Sequence, residues 1–176
     1  MNTFLSQQTG CSSHFCFQAV YICPPICYNL GSTISKIRKD PTAMNDATVF
    51  ISYSTIDKAV TDRIREFLQQ DGISCWMAPY SLSPGAVYAE EAAKAIAQCQ
   101  VFLLILSKNS TKSQPVLREL NYAINNRKNV IPFLIEEIEL SPVFQYYLCN
   151  RSFISGSEDF ERACEFLRKL IRNILG

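Results

Sequence analysis

The sequence has little histidine and no excess of charge of either sign. Its one histidine is His14, so the region from Met44 onward contains none for a Ser/His or Cys/His nucleophile pair or for a histidine-based metal site. Acid–base chemistry there would fall to carboxylates, Tyr, Lys or Cys. The net charge of +1, without a basic tail or stripe, gives no electrostatic support for nucleic-acid binding.

Glycine-rich phosphate loops are also missing. Neither GxGxxG nor GxxxxGK[ST] occurs in the sequence, so a bound nucleotide would depend on helix N-termini and side chains. A phospho-acceptor receiver domain needs an aspartate at the end of its third strand. Here the apolar run predicted to be the third strand ends at Ser107, which excludes a receiver domain.

The eight cysteines fall into two groups. The first group lacks the CxxC spacing of structural zinc sites, so no metal site is predicted. The second is dispersed among apolar residues, which predicts reduced core thiols and a cytoplasmic location. The two groups are Cys11, Cys16, Cys23 and Cys27, then Cys75, Cys99, Cys149 and Cys164.

Residues 1–43 show neither helical nor strand periodicity, and three interpretations stay open. They are an irregular or disordered leader, a segment upstream of the true start at Met44, or a membrane-tethering or thiol-modified segment. The apolar stretch 15–30 is interrupted by Pro24 and Pro25 and is too short for a confident membrane span. The patterned domain is predicted to cover 44–176, and membrane association is not expected.

Five apolar runs alternate with amphipathic stretches in this domain. The runs are 48–53, 73–77, 101–107, 130–135 and 151–154, and the first, third and fourth are nearly continuous, as in strands buried on both faces. Helices are predicted from near residue 57 to the cap at Gly72, and over 88–98, 115–126 and 158–175. This alternation predicts a three-layer, flavodoxin-like α/β fold, with five parallel strands and helices on both faces.

Four motifs carry a family resemblance in the right order. They are Val49-Phe-Ile-Ser-Tyr-Ser54 followed by Asp57-Lys58, Asp71 to Pro79 with Leu82-Ser-Pro-Gly85, Ser107 to Ser110 with Arg118-Glu-Leu120, and Val130-Ile-Pro-Phe133. Over about residues 47–154 the chain resembles the TIR domain family. It is most similar to the bacterial C-W-x-A-P branch of Thoeris-like defence proteins.

The resemblance implies one of two kinds of function. Some TIR domains cleave the bond between nicotinamide and ribose in NAD+ or cyclise the ADP-ribose, and others only assemble with further TIR domains. The essential carboxylate of the enzymatic members falls on Glu119. Many of them carry a tryptophan four residues earlier, where this chain has Pro115. NAD+ would be a substrate, so no cofactor is expected.

A carboxylate suits this chemistry because cleavage passes through a positively charged, oxocarbenium-like ribose. The predicted placement of Glu119 is the edge of the apolar face formed by Val116, Leu120 and Ile124. An ordinary first-turn acid, favoured by the helix dipole, is the alternative.

Further substrate contacts are predicted near the strand ends. Stacking is expected for Phe50, Tyr53 and Trp76, with core packing as the alternative for each. Ser52 and Ser54 are candidate donors to ribose or phosphate, or turn caps. Arg118 is a candidate phosphate ligand or an exposed helix charge, and Asp57 is predicted to be the N-cap of the first helix.

The loop after the second strand contains two prolines and a glycine, so it is restrained yet hinged. It is expected to be a lid over the site, an assembly surface, or both. Its candidate residues are Pro79, Tyr80, Leu82, Pro84 and Gly85.

The function predicted from the resemblance is an NAD+ nucleosidase or cyclase that produces an ADP-ribose-type signal in bacterial antiphage immunity. The expected partners are NAD+, further copies of the chain through TIR–TIR contacts, and a separate effector protein. Two alternatives stay open: a non-catalytic TIR interaction module, and an enzyme similar to nucleoside deoxyribosyltransferases, which share the fold class and a glutamate-based mechanism.

Overall fold

A computed structural model describes residues 48–176. The interpretations of residues 1–43, and the predicted domain start at Met44, lie outside these described residues. Within them, no helix combines the length and the apolar character that crossing a bilayer requires.

Five parallel strands form one sheet in the order β2-β1-β3-β4-β5. Every residue of the first and third strands is buried, as expected when helices cover both faces. This order confirms the predicted flavodoxin-like, five-stranded arrangement. The strands are β1 (Val49–Ser52), β2 (Cys75–Trp76), β3 (Val101–Leu106), β4 (Asn129–Leu134) and β5 (Ile154–Ser155).

Alternate residues of the strands face two separate helical layers. Val49 and Ile51 pack in one core with apolar residues of two helices, α1 (Lys58–Gln70) and α5 (Phe160–Leu175). Phe50 and Phe102 pack in the other core. That core contains residues of α2 (Tyr88–Gln98), α3 (Gln114–Asn125) and α4 (Pro142–Leu148).

Several element bounds differ from the predicted ones. The second strand has only two residues, and the fifth begins at Ile154, where the prediction ended. The last helix begins at Phe160 because Asp159 caps it, its side chain accepting a hydrogen bond from the Arg162 amide. The seven-residue α4 was not predicted, since a helix of under two turns leaves too few apolar positions for a period to emerge.

Candidate active site

Glu119 lies in the middle of α3, on the side of the helix that covers the sheet. Ser113 caps this helix by accepting a hydrogen bond from the Val116 amide, and Pro115 occupies the first turn. The carboxylate-bearing residue is only 8% exposed and belongs to the buried face with Val116 and Leu120. The predicted edge position was therefore too superficial, because the helix lies close against β1 and β3.

Both carboxylate oxygens of Glu119 accept hydrogen bonds from hydroxyl groups. Ser52 Oγ, at the end of β1, donates to Oε2 over 2.6 Å, and the Tyr88 hydroxyl donates to Oε1. Burial raises the pKa of Glu119, whereas the bonds from Ser52 and Tyr88 and the charge of Arg118 lower it. The hydroxyls thus favour the ionised form of a carboxylate that its buried surroundings would otherwise protonate.

Glu119 forms part of the wall of a crevice of about 210 Å³ at the carboxyl ends of β1 and β2. In open α/β sheets this edge is where ligands bind. Several hydroxyl groups surround the space, which therefore offers hydrogen bonds. Trp76 also borders it, but this side chain is only 3% exposed and packs in the core, as the alternative interpretation expected. The crevice residues are Ile51, Tyr53, Ser54, Thr55, Trp76, Ala78, Tyr88, Ser113, Pro115 and Glu119.

The predicted contact of Phe50 with a ligand is wrong. Phe50 is 0% exposed and stacks between Trp76, at a centroid distance of 4.6 Å, and Phe102, at 5.4 Å. Its side chain points to the α2–α3 layer, since strand residues alternate between the two faces. Phe50 therefore supports the Trp76 ring from behind, and Trp76 borders the crevice.

Tyr53 and Ser54 border the crevice from the turn after β1. The Tyr53 hydroxyl donates to the Ala78 carbonyl and so ties β1 to the loop after β2. Burial raises the pKa of Tyr53, which keeps the phenol protonated as the donor. Ser54 is buried and makes no capping hydrogen bond with its side chain at the 3-10 turn Thr55–Asp57.

Asp57 does not cap α1 with its side chain, although it stands at the N-cap position. Its carboxylate instead accepts hydrogen bonds from Ser107 Oγ and from Asn109 Nδ2, the latter over 2.7 Å. The predicted N-cap position of Asp57 is therefore confirmed, but its side-chain oxygens are taken by two donors beyond β3 and make no capping bond. Asp57 thereby joins the turn after β1 to the segment that leads into α3.

Arg118 borders a second cavity and is absent from the lining of the crevice. The Arg118 side chain is exposed, which agrees with the alternative interpretation that it is an exposed charge on the helix. A contact of Arg118 with a phosphate stays a prediction, and it would be made from the side of this second cavity.

This second cavity, here called the α2–α3 groove, has a volume of about 260 Å³. Tyr88, Pro115 and Glu119 line both the groove and the crevice, so the carboxylate lies where the two meet. Tyr88 was missed by the sequence analysis because no local pattern relates it to Glu119, 31 positions away. The remaining groove residues are Ala89, Ala92, Ala93, Ile96, Arg118 and Tyr122.

The loop 78–87 is anchored at its first half. Tyr80 places its ring 4.4 Å from Lys58 Nζ and 4.3 Å from the Arg65 guanidinium carbon, and its hydroxyl donates to Asp62. Leu82 packs against the α2–α3 core. The other candidate loop residues, Pro79, Pro84 and Gly85, are exposed.

Across residues 48–176, no three His, Cys, Asp or Glu side chains approach closely enough to hold a metal ion. What the arrangement offers is one buried carboxylate with two hydroxyl partners, beside a crevice large enough for part of a nucleotide.

Comparisons with known proteins agree with this architecture. A family model described as TIR domain matches residues 49–168, whereas no curated protein matches the sequence. The chain is similar to the TIR domain of the Toll-related receptor TRR-2 from Hydra magnipapillata. The two share 22% identity over 74% of this chain and 99% of that one, with a TM-score of 0.63.

Two further solved structures are similar at the level of the fold. A metazoan TIR-STING receptor from C. gigas, in complex with 2',3'-cGAMP, shares 21% identity over 73% of this chain and 40% of that one, with a TM-score of 0.61. The CMP N-glycosidase BcmB from Clostridium botulinum shares 18% identity over 67% of this chain and 96% of that one, with a TM-score of 0.51.

Proposed function

The chain belongs to the TIR domain family, and we propose that it is an NAD+ nucleosidase that cleaves the bond between nicotinamide and ribose. The observation that supports this most strongly is the buried Glu119 carboxylate, which borders a crevice at the carboxyl edge of the sheet. Membership of this chain in the C-W-x-A-P branch of the family stays a prediction.

The proposed reaction breaks the bond between C1′ of the ribose and the pyridinium nitrogen. The bonding electron pair goes to that nitrogen, so the cationic ring leaves as neutral nicotinamide. Water then adds to C1′ and loses a proton, which gives ADP-ribose. Because the leaving group already carries a positive charge, no general acid is required, in keeping with a region that has no histidine.

Glu119 would stabilise the positive charge that develops on the ribose. A buried carboxylate acts more strongly here than one in water, because the surrounding dielectric is low. Of its two partners, Ser52 is 1% exposed and Tyr88 is 40% exposed. A ribose hydroxyl would therefore replace Tyr88 on Oε1, while Ser52 would keep the carboxylate oriented through Oε2.

The crevice supplies groups for the rest of the nucleotide. Ser54, Thr55 and Ser113 offer hydroxyl groups, and Trp76, which is only 3% exposed, borders the same space. BcmB is described as a CMP N-glycosidase, an enzyme of the same bond class as the one proposed here. BcmB shares only 18% identity with this chain, so the proposed activity rests on Glu119.

The test is the release of nicotinamide from NAD+ by concentrated protein, compared with the Glu119→Gln variant. We expect a loss of about 100- to 1000-fold in turnover, the usual effect of removing one group that stabilises a developing charge. Glu90→Gln is the matched control, because Glu90 is an exposed glutamate on α2, and it should retain full activity.

Thermal unfolding checks that Glu119→Gln folds. Because burial raises the pKa of Glu119, the stability that its protonated form contributes is present below the unfolded-state pKa. That stability is lost as the pH rises through the folded-state pKa. We therefore expect the variant to be at least as stable as the wild type at pH 7.5, with the difference vanishing in acid.

A wild type that releases no nicotinamide, even when assembled at high concentration, would contradict the proposal and favour a non-catalytic interaction module. Full activity in Glu119→Gln would contradict it equally.

Several expectations from the resemblance belong to the same proposal. They are a cyclic ADP-ribose-type product, which mass spectrometry would identify, an antiphage role, a cytoplasmic location and a separate effector protein.

A further inference from the structure

The α2–α3 groove meets the crevice at Glu119, so one carboxylate has a cavity on each side. The crevice is bordered by hydroxyl groups from the turn after β1 and by Ser113. The groove is bordered mainly by carbon atoms of Ala92, Ala93, Ile96 and Pro115. The two sides of the carboxylate therefore favour ligands of different polarity.

The groove exists because α2 presents small side chains to α3. Ala89 is exposed, Ala93 is half-buried and Ala92 is buried, and all three border the cavity. A larger residue at any of these positions would occupy the space. Tyr122, which is 41% exposed, forms part of the lining on α3 and supplies an aromatic surface.

Cleavage of the proposed substrate divides it at one bond into two parts of different polarity. The ADP-ribosyl part carries hydroxyls, which match the hydroxyl groups that line the crevice. The nicotinamide ring is a cation in NAD+ and becomes neutral as the bond breaks. A neutral aromatic ring is favoured in an apolar groove, whereas a cation there would lose hydration and lie near the Arg118 guanidinium.

We propose that the α2–α3 groove is the subsite that receives the departing nicotinamide, an inference that rests on the proposed function. The subsite favours the ring only as its positive charge disappears, so it binds the transition state and product better than the substrate. Arg118, at the border of the groove, is a suitable donor to the carboxamide oxygen.

Tyr88 lies between the two cavities and lines both of them. Its hydroxyl donates to Glu119, and its ring lies 6.4 Å from that of Trp76. When a ribose hydroxyl takes over Oε1, Tyr88 loses this partner, and its side chain is free to leave the junction. The substrate that engages Glu119 thereby opens the exit for its own leaving group.

The experiment fills the groove without altering Glu119 or the crevice. The full-length Ala93→Phe variant is compared with Ala97→Phe, which adds the same ring to the exposed side of α2. Inhibition of NAD+ cleavage is measured with added nicotinamide and, separately, with ADP-ribose. We expect the inhibition constant for nicotinamide to rise about tenfold in Ala93→Phe, equivalent to ~1.4 kcal/mol of binding free energy.

The inhibition constant for ADP-ribose should stay unchanged in Ala93→Phe. The inhibition constants for nicotinamide and for ADP-ribose should both stay unchanged in Ala97→Phe. Ala89→Phe is the second groove-filling variant, since Ala89 is exposed and tolerates a larger side chain if Ala93→Phe fails to fold. An unchanged nicotinamide constant in a folded groove variant would overturn the inference, as would an equal change in both constants. In either case, wild-type cleavage of NAD+ would leave the proposed function standing. A wild type that never releases nicotinamide would overturn both.

Discussion

The Glu119 carboxylate has two hydroxyl donors that differ in accessibility. Ser52 belongs to a strand end that is buried on both faces, whereas Tyr88 begins a helix at the surface. The buried donor is therefore suited to fix the orientation of the carboxylate. The exposed donor is suited to exchange with a substrate hydroxyl.

Ser52→Ala should move the pH dependence of NAD+ cleavage. The Ser52 hydrogen bond lowers the pKa of Glu119 against the effect of burial, so its loss raises that pKa. Because the ionised carboxylate is the active form, the acidic limb of kcat/KM against pH should move to higher pH. Tyr88→Phe should move it in the same direction. A limb that stays in place or moves to lower pH would contradict this.

The sequence was sufficient to place Glu119 on the helix after β3, whereas its proposed catalytic role comes from the family resemblance. It was insufficient to identify Tyr88, since that contact depends on how α2 and α3 pack. It also misjudged Phe50, because a strand pattern without polar residues does not reveal which side chains face the ligand edge and which face a helical layer.

At the scale of elements, the loop 78–87 is fixed unevenly. Tyr80 is held between Lys58 and Arg65 of α1, and Tyr53 binds the Ala78 carbonyl. In the second half of the loop, Pro84 and Gly85 are exposed. This second half leads directly to Tyr88, the first residue of α2, which donates to Glu119.

The end of β5 gives a stability prediction. A Cβ atom at Gly156 would lie 2.8 Å from Cε1 of Phe133, a fully buried side chain of β4. Gly156→Ala should therefore destabilise the protein by about 1–3 kcal/mol, the usual cost of overpacking. Chemical denaturation measures the change.

Gly72→Ala is the comparison for this prediction. No atom lies within 4 Å of a Cβ placed at Gly72, but its φ of +75° disfavours alanine, at a cost of roughly 1–2 kcal/mol. Relief of the Gly156→Ala defect by Phe133→Leu would assign the effect to the contact. If Gly156→Ala destabilised the wild type and the Phe133→Leu variant equally, that assignment would be contradicted.

Element order was easier to predict than element extent. Strand–helix alternation predicted parallel strands with right-handed connections, and the flavodoxin-like order was the natural choice among the orders that these allow. The short strands β2 and β5 were misplaced, since pairing with β1 and β4 defines them more than their own residues do. The helix α4 escaped prediction for a related reason: Phe144 and Leu148 are its only buried residues.

For the molecule as a whole, the proposed activity should depend on assembly. The resemblance to TIR domains predicts contacts between copies of the chain. Because Pro84 and Gly85 are exposed, we expect the loop 78–87 to be a contact surface. The specific activity of the wild type should rise with protein concentration, and analytical ultracentrifugation should detect oligomers. Pro84→Glu should remain monomeric and weakly active at every concentration.

The stability of Pro84→Glu should stay within about 0.5 kcal/mol of the wild type, since an exposed substitution removes no core contact. Gln100→Glu introduces the same charge at an exposed site before β3 and should assemble normally. Specific activity that is independent of concentration in all three proteins would show that a single copy contains the complete site.

Trp76 is the only tryptophan in the chain, and it borders the crevice. The tryptophan fluorescence of this protein, excited selectively over tyrosine, therefore comes from one indole group beside the crevice. Quenching or a spectral shift would report occupancy of the crevice directly, without a label. A titration of the Glu119→Gln variant would measure affinity optically in the absence of turnover.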